Sequence, residues 1–282
     1  MSSSALTPAL TKSSDSAVTV HPTAIVHSKA GLGHGVVIGP YCVIGPDVVL
    51  GDRVQLMSHV VVDGRTTIGA DSIVFPFASL GQVPQDLKYR GEPSTLEIGA
   101  RNRIREQVTM NTGTEGGGMV TRVGDDGLFM VGAHVAHDCI LGDHIIMANN
   151  ATLAGHVTLG DFAFIGGISA VHQFVRIGAH AWVGGMTGVE RDVIPFGQVM
   201  GDRARLTGLN LVGLERRGFP REDIQSMRTA FRMLFGPDGT LAERADAVAR
   251  EFAANAQIIE IVEFVRVKSS RGLCQPAAYS GQ

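Results

Sequence analysis

Every sixth residue from Val20 onward is a branched aliphatic: Val20, Val26, Leu32, Ile38, Ile44, Leu50, Leu56, Val62, Ile68, Val74 and Leu80 hold that position without exception. The phase resumes at Ile98, Ile104 and Met110. It then slips by one residue and runs from Val123 through Phe129, Val135, Leu141, Met147, Leu153, Leu159, Ile165, Val171, Ile177 and Val183 to Val189. A period of six is neither the 3.6 of an amphipathic helix nor the alternation of a half-buried strand. It marks a repeat in which no unit buries its own apolar face, so that stacking must supply the core. Glycine often follows the aliphatic (Gly33, Gly39, Gly45, Gly51), which suits a tight corner or a close backbone approach. The fourth position after the aliphatic is small, as at Ala30, Cys42, Ser72, Ala78, Cys139 and Ala151. One large and one small inward residue per hexad describe a short strand and a turn. The chain is therefore expected to form an all-β parallel β-helix over residues 20–201, of about eight coils stacked at ~4.8 Å.

Two interruptions, near residues 83–97 and 111–122, must leave the prism as loops, and loops of that length on a rigid scaffold usually serve function. Beyond Gly201 the period fades, and residues 202–282 read as a helical domain at one end of the prism. Pro220 can open a helix bearing Ile224, Met227, Phe231, Leu234 and Phe235. Thr240-Leu-Ala-Glu243 has the form of a capping box, ahead of Leu241, Ala245, Val248 and Phe252. A last apolar stripe runs from Ile258 to Val267. Residues 1–19 are polar and Ser/Thr-rich, and disorder is expected there.

Composition narrows the function. The 36 glycines among 282 residues are what a turn-rich repeat requires. A net charge of −3 gives no general reason to bind nucleic acid. No run reaches the ~18 apolar residues of a membrane span, and the first 19 residues lack the basic start and apolar core of a secretory signal, so a cytoplasmic protein is expected. Three cysteines without CxxC spacing encode neither a disulfide framework nor a zinc knuckle. Cys42 and Cys139 fall on small inward positions.

In such a prism, residues 18 apart lie one above another. His137 then lies below Gly155 and Gly155 below Gln173, Asp138 lies below His156, His172 sits beside Gln173, and His134 is on the coil of His137. A histidine beside a carboxylate can serve as general base near neutral pH. Solvated corner histidines are the plain alternative. A zinc site of the kind found in hexapeptide-repeat carbonic anhydrases is a weaker one, because the HxxxxH spacing associated with that family is missing. Arg101, Arg103 and Arg105 alternate along RNRIRE and are expected to share a face.

The segments QDLKYRGEP, AHVAHDC, NNATLAGH, VHQF, VGGMTGV and GLERRGF carry a closer likeness. In order, spacing and phase they resemble the UDP-N-acetylglucosamine acyltransferases, which open lipid A (lipopolysaccharide) biosynthesis, over about residues 20–272. The resemblance implies a left-handed β-helix with a C-terminal α-helical domain, assembled as a homotrimer with sites between subunits. It implies transfer of an (R)-3-hydroxyacyl group from acyl carrier protein to the 3-hydroxyl of UDP-N-acetylglucosamine, with no cofactor, no metal and no acyl-enzyme. By the same likeness His137 is the general base, Asp138 its orienting partner, and Gly155 the glycine whose N–H faces the oxyanion. His134, His156 and His172 position sugar or acyl groups. Asp86 and Lys88 are loop contacts to substrate, and Gln173, Asn210, Arg216 and Arg217 contact nucleotide and phosphate. Gly185 matches the position that sets acyl length, and a small residue there implies a chain of about twelve to fourteen carbons. Val212 departs from an acidic nucleotide contact of some relatives. Because acyl carrier protein is acidic, Arg101, Arg103 or Arg105 is expected to dock it. The related N-acyltransferase of the same pathway is the enzymatic rival, but it carries an extra N-terminal domain. A non-catalytic β-helix would favour repeated Thr ranks, and the outward positions here are chemically irregular.

Overall fold

The structure, a computed structural model, describes residues 17–276, so most of the N-terminal extension for which disorder is expected lies outside the described residues. The chain winds into a left-handed parallel β-helix. Its strands, mostly of two residues, form three sheets of eleven, nine and eight strands among the described residues. Face A runs from strand Thr19–Val20 to Trp182–Val183, face B from Ile25–Val26 to Gly188–Val189, and face C from Gly31–Leu32 to Arg176–Ile177. Strand register steps by 18 residues through regular coils, as in Thr152↔Ala170 and Phe164↔Trp182. The hexad aliphatics from Ile38 to Val189 fill the centre, and Ile104, Met110 and Phe129 are fully buried. Val20 is 41 % exposed because no described coil packs beneath it.

At the corners, the second of the two expected uses of glycine holds and the first does not. The glycine after each aliphatic does not carry the left-handed turn. That conformation falls two residues later, mostly on residues with side chains, such as Tyr41, Arg53, His59, His156 and His180. The glycines answer to close approach instead: a Cβ on Gly39 would lie 2.7 Å from the carbonyl oxygen of Met57 in the coil above. Stacking overrides the ~1–2 kcal/mol that a left-handed residue costs. The side chains at these corners form ladders along the three edges of the prism. Tyr41, His59, Phe77, Ile168 and Met186 follow the A–B edge, Asp138, His156 and Phe174 the B–C edge, and Arg53, Asp71, His144, Phe162 and His180 the C–A edge.

Both interruptions leave the prism at the B–C edge. The first ends earlier than expected, because Thr95 and Leu96 already pair with Arg65 and Thr66 in a lengthened strand, Thr95–Ile98. Strand Val120–Val123 shortens the second in the same way. The RNRIRE run also differs from its expectation. Arg101 occupies the left-handed C–A corner, whereas Arg103 lies on the face-A strand Arg103–Ile104, so the three arginines do not all share a face. Arg101 is closed by Asp125 and Asp126 (2.8 and 2.7 Å), and Arg105 by Glu106 (2.9 Å) and the Phe75 ring. Of the three, only Arg103 points outward without a carboxylate partner among the described residues.

At the C-terminal end, strands Gly197–Met200 and Arg205–Leu209 add an antiparallel hairpin to face A, which the fading period did not foretell. Helices follow: α1 (Leu211–Arg216), α2 (Arg221–Leu234), α3 (Leu241–Glu251) and α4 (Ala256–Arg266). The last three match the apolar stripes, and α1 is too short to show one. The capping box forms as read, with Glu243 N–H donating to Thr240 Oγ1 (3.2 Å) and Thr240 N–H to Glu243 Oε2 (2.7 Å). Thr240→Ala should cost about 1 kcal/mol in a urea unfolding curve.

On the C–A edge, His180 is sandwiched between Phe162 and Phe196 (4.8 and 5.3 Å between ring centres), and its Nδ1 is buried without a partner among the described residues. Burial, helped by the nearby Arg217, pulls its pKa down to about 4. The folded chain then binds fewer protons than the unfolded chain between that value and the ordinary imidazole range near ~6.5. This contribution to stability is therefore present above that range and is lost as the pH falls toward about 4. His180→Phe should flatten the fall of the urea midpoint between pH 7 and pH 5, and an unchanged slope would count against this account.

Candidate active site

The B–C edge gathers the titratable column. His137 and Asp138 occupy the corner between strands His134–Val135 and Ile140–Leu141 and are 6 % and 4 % exposed. The Asp138 carboxylate accepts from the Thr114 N–H (2.8 Å) and from the Thr114 hydroxyl (2.5 Å). It also holds His137 Nδ1 at 2.8 Å. An ionised carboxylate only accepts, so Nδ1 carries a proton, and in the neutral imidazole the lone pair is on Nε2. Asp138 is itself tied down, its N–H donating to the buried Thr121 hydroxyl (2.8 Å). The His137 imidazole is thus oriented by a carboxylate that is oriented in turn by the second loop, whose 3-10 turn Glu115–Gly117 presses against it. A Cβ on Gly117 would collide with that carboxylate.

Gly155 lies directly above the imidazole. A Cβ there would sit 2.7 Å from His137 Nε2. Its carbonyl accepts from Phe174 N–H (3.2 Å), and its N–H has no acceptor among the described backbone groups. His156 follows, edge-on to His137 at 5.1 Å and 3.8 Å from the Asp138 carboxylate. Phe174 stacks flat on His156 (4.3 Å, 6°). Burial pulls the pKa of His156 down, with Asp138 opposing, and burial does the same to His134, whose Nδ1 meets Thr109 Oγ1 at 2.7 Å. Both imidazoles are therefore neutral at pH 7 and suit hydrogen bonding to uncharged hydroxyls. The Cys139 thiol behind them is pushed up to about 12 by burial and is inert as a nucleophile.

The first loop brings Asp86 and Lys88 to the same place. With Tyr89, Glu92, Thr114, Glu115, Gly116, His156 and Phe174 they line a cleft of about 450 Å³. Asp86 accepts from Lys88 N–H (2.9 Å), so its carboxylate shapes the loop rather than pairing with the lysine. His137, Asp138, Gly155, His156, Asp86 and Lys88 are thus assembled within one chain.

Other predicted residues do not line that cleft. His172 is exposed and turned toward the carbonyl of Gln173 (3.3 Å). Asn210 caps α1, its Oδ1 accepting from Gly213 N–H (3.0 Å) while its Nδ2 donates to the His180 carbonyl (2.9 Å). Both ends of that side chain are engaged inside the protein, which leaves it little to offer a nucleotide. Arg217 lies over Phe162 on the C–A edge and donates to its carbonyl (3.3 Å), with Arg216 exposed beside it. Gly185 is on the A–B edge, where a Cβ would meet nothing nearer than the Gly167 carbonyl at 3.4 Å. Within one chain the predicted residues are therefore divided among three edges. Thr114, Phe174 and Tyr89 were missed. Phe174 had a signal, being 18 residues beyond His156, whereas Thr114 lies in an interruption where spacing conveys nothing.

His137, Asp138 and His156 could also hold a metal, their ligand atoms lying within 4.8 Å of one another. The donors fit poorly, because Asp138 is committed to Thr114 and His137 and its side chain is fully buried.

A family model described as UDP-N-acetylglucosamine O-acyltransferase, domain 2, matches residues 192–274. The acyl-[acyl-carrier-protein]–UDP-N-acetylglucosamine O-acyltransferase of Caulobacter vibrioides is 58 % identical over 92 % of this chain and 98 % of its own. A crystal structure of a UDP-N-acetylglucosamine acyltransferase superposes with a TM-score of 0.89 at 43 % identity, covering 92 % of this chain and all of that one. The Campylobacter jejuni enzyme gives 0.86 at 38 % identity, covering 91 % and 99 % of the two chains.

Proposed function

The chain belongs to the UDP-N-acetylglucosamine O-acyltransferase family, and from that premise we propose that His137 is the base through which it acylates the 3-hydroxyl of the sugar. As a member, it is an enzyme that moves an acyl group from acyl carrier protein to UDP-N-acetylglucosamine, in lipid A biosynthesis. The reading of His137 rests on one observation: an imidazole locked by Asp138 with Nε2 free, facing a glycine whose N–H is unspent.

Nε2 takes the proton of the 3-hydroxyl as its oxygen attacks the thioester carbonyl of the (R)-3-hydroxyacyl donor. The Gly155 N–H meets the negative charge that develops on that carbonyl oxygen. Collapse breaks the carbon–sulfur bond, and the departing thiolate recovers the proton from the His137 imidazolium. The products are an ester and a free thiol, with no acyl-enzyme. Neutral His156 and His134 supply hydrogen bonds to sugar or acyl hydroxyls, and Asp86 and Lys88 close the cleft from the first loop. An acceptor lacking the 3-hydroxyl should bind and give no product, whereas acylation of it would overturn the assignment.

The division of Arg216, Arg217 and Gly185 from the His137 edge supports a homotrimer. Three prisms side by side bring unlike edges together, so neighbours complete each site. Sedimentation should then report three times the 29.8 kDa chain mass. Among the described residues no helix is long and apolar enough to cross a membrane. We place the reaction in the cytoplasm, where both water-soluble substrates are found.

Gly185 opens the A–B edge for the acyl tail. Gly185→Met should lower kcat/KM for the longest donors at least tenfold and shift the preferred chain several carbons shorter, since each methylene in an apolar groove is worth roughly 1–3 kcal/mol. A donor panel read by mass spectrometry checks this.

A further inference from the structure

Above Phe174 the column continues with a residue from the far end of the chain. The segment after α4 returns to the prism and is fastened there. Asp192 N–H donates to the Gly272 carbonyl (2.9 Å), and Cys274 N–H donates to the Asp192 carbonyl (2.8 Å). The Asp192 side chain, fully buried, is held by Arg176 at 2.7 Å. This strap delivers Arg271, whose Nε donates to the Gln173 carbonyl (2.6 Å) and whose guanidinium carbon lies 5.9 Å from the centre of the Phe174 ring. Asp138, His156, Phe174 and Arg271 thus succeed one another along one edge, and Arg271 stands on the order of 10 Å beyond His156.

The charge of Arg271 is unspent. Arg53, Arg101 and Arg122 are each closed by a carboxylate, whereas Arg271 has none within ion-pair distance among the described residues. Its Nε is anchored to a carbonyl, so the outer edge of the guanidinium is aimed and free to make a forked contact. The cleft beside it needs a cation. Asp86, Glu92 and Glu115 line that cleft against the single Lys88, and Glu92 is kept ionised by backbone N–H groups that hold its pKa down. Both substrates of the reaction carry phosphate, one as a diphosphate and the other in the phosphopantetheine arm of the carrier. An anionic substrate entering an acidic cleft requires positive charge at the mouth.

We propose that Arg271, held by the Gln173 carbonyl over the Phe174 face, is a phosphate-binding residue of the substrate cleft. The inference rests on the acyltransferase reading. Its position two stacking steps beyond His156 suits the short span from a sugar hydroxyl to the diphosphate better than the length of a pantetheine arm.

The test is titration calorimetry of wild type, R271K and R271M with four probes: UDP, uridine, 4′-phosphopantetheine and pantetheine. R271M should bind one phosphate-bearing probe at least tenfold more weakly, with R271K in between and the matching phosphate-free probe unaffected. Loss toward UDP assigns the residue to the acceptor, and loss toward phosphopantetheine assigns it to the donor. Wild-type affinity of R271M for both phosphate probes would overturn the inference. So would equal weakening toward the phosphate-free probes, since the residue would then merely fasten the strap. Absence of acyl transfer by the wild type in a parallel assay would sink the functional reading instead, leaving the binding result to be judged separately.

Discussion

His137→Ala should lower kcat by about a thousandfold, within the 10²–10⁴ that general-base catalysis supplies, and leave KM for the sugar nucleotide nearly unchanged. The side chain is buried at a corner, but it is not part of the aliphatic core. Its removal leaves Asp138 still accepting from both the N–H and the hydroxyl of Thr114, so no stranded carboxylate is created. Unfolding should therefore change little. The residual rate comes from positioning and from the Gly155 N–H, which do not depend on the imidazole. His137→Gln fills the same space without a base and should be as slow. A variant that kept more than a tenth of the wild-type kcat would show that another group removes the proton.

Gly155→Ala should cost about a hundredfold or more in kcat, the scale of loss expected when a reacting group is displaced by about an ångström. The added methyl carbon would fall 2.7 Å from His137 Nε2 and 3.0 Å from Nδ1, so the ring must swing away. Backbone adjustment is closed off, since the Gly155 carbonyl accepts from Phe174 and the neighbouring His156 N–H donates to the His137 carbonyl (3.0 Å). The displaced ring loses its bond to Asp138, its alignment with the acceptor, or both. The substitution also crowds the oxyanion position, so it strikes both halves of the mechanism while adding only one carbon. Comparable kcat in the alanine variant, with the ring shown in place by NMR, would remove Gly155 from the account.

The prism was legible because a period of six over most of the chain has few structural solutions. From it the stacking of His137 under Gly155 and of Asp138 under His156 could be read as arithmetic, and the structure places them so. Spacing could not say which groups orient His137. Thr114 lies in an interruption, where residue number no longer maps to height, and Arg271 arrives from 98 residues beyond Gln173 by a strap without a periodic pattern. The arginines of RNRIRE differ for a related reason: alternation implies one face in a straight strand, but Arg101 sits at a left-handed corner and Arg103 on the strand that follows it. Asn210 was named only from the family resemblance, and its side chain is engaged in capping a helix too short for periodicity to reveal. Local rules held where they were local, as in the Thr240 capping box.

The central claim is most directly tested by incubating purified protein with UDP-N-acetylglucosamine and (R)-3-hydroxyacyl carrier proteins and locating the acyl group in the product by mass spectrometry and NMR. The account predicts an ester on the 3-hydroxyl of the sugar, formed by the wild type and almost absent with His137→Ala. An ester on another hydroxyl, or equal product from the two proteins, would contradict it.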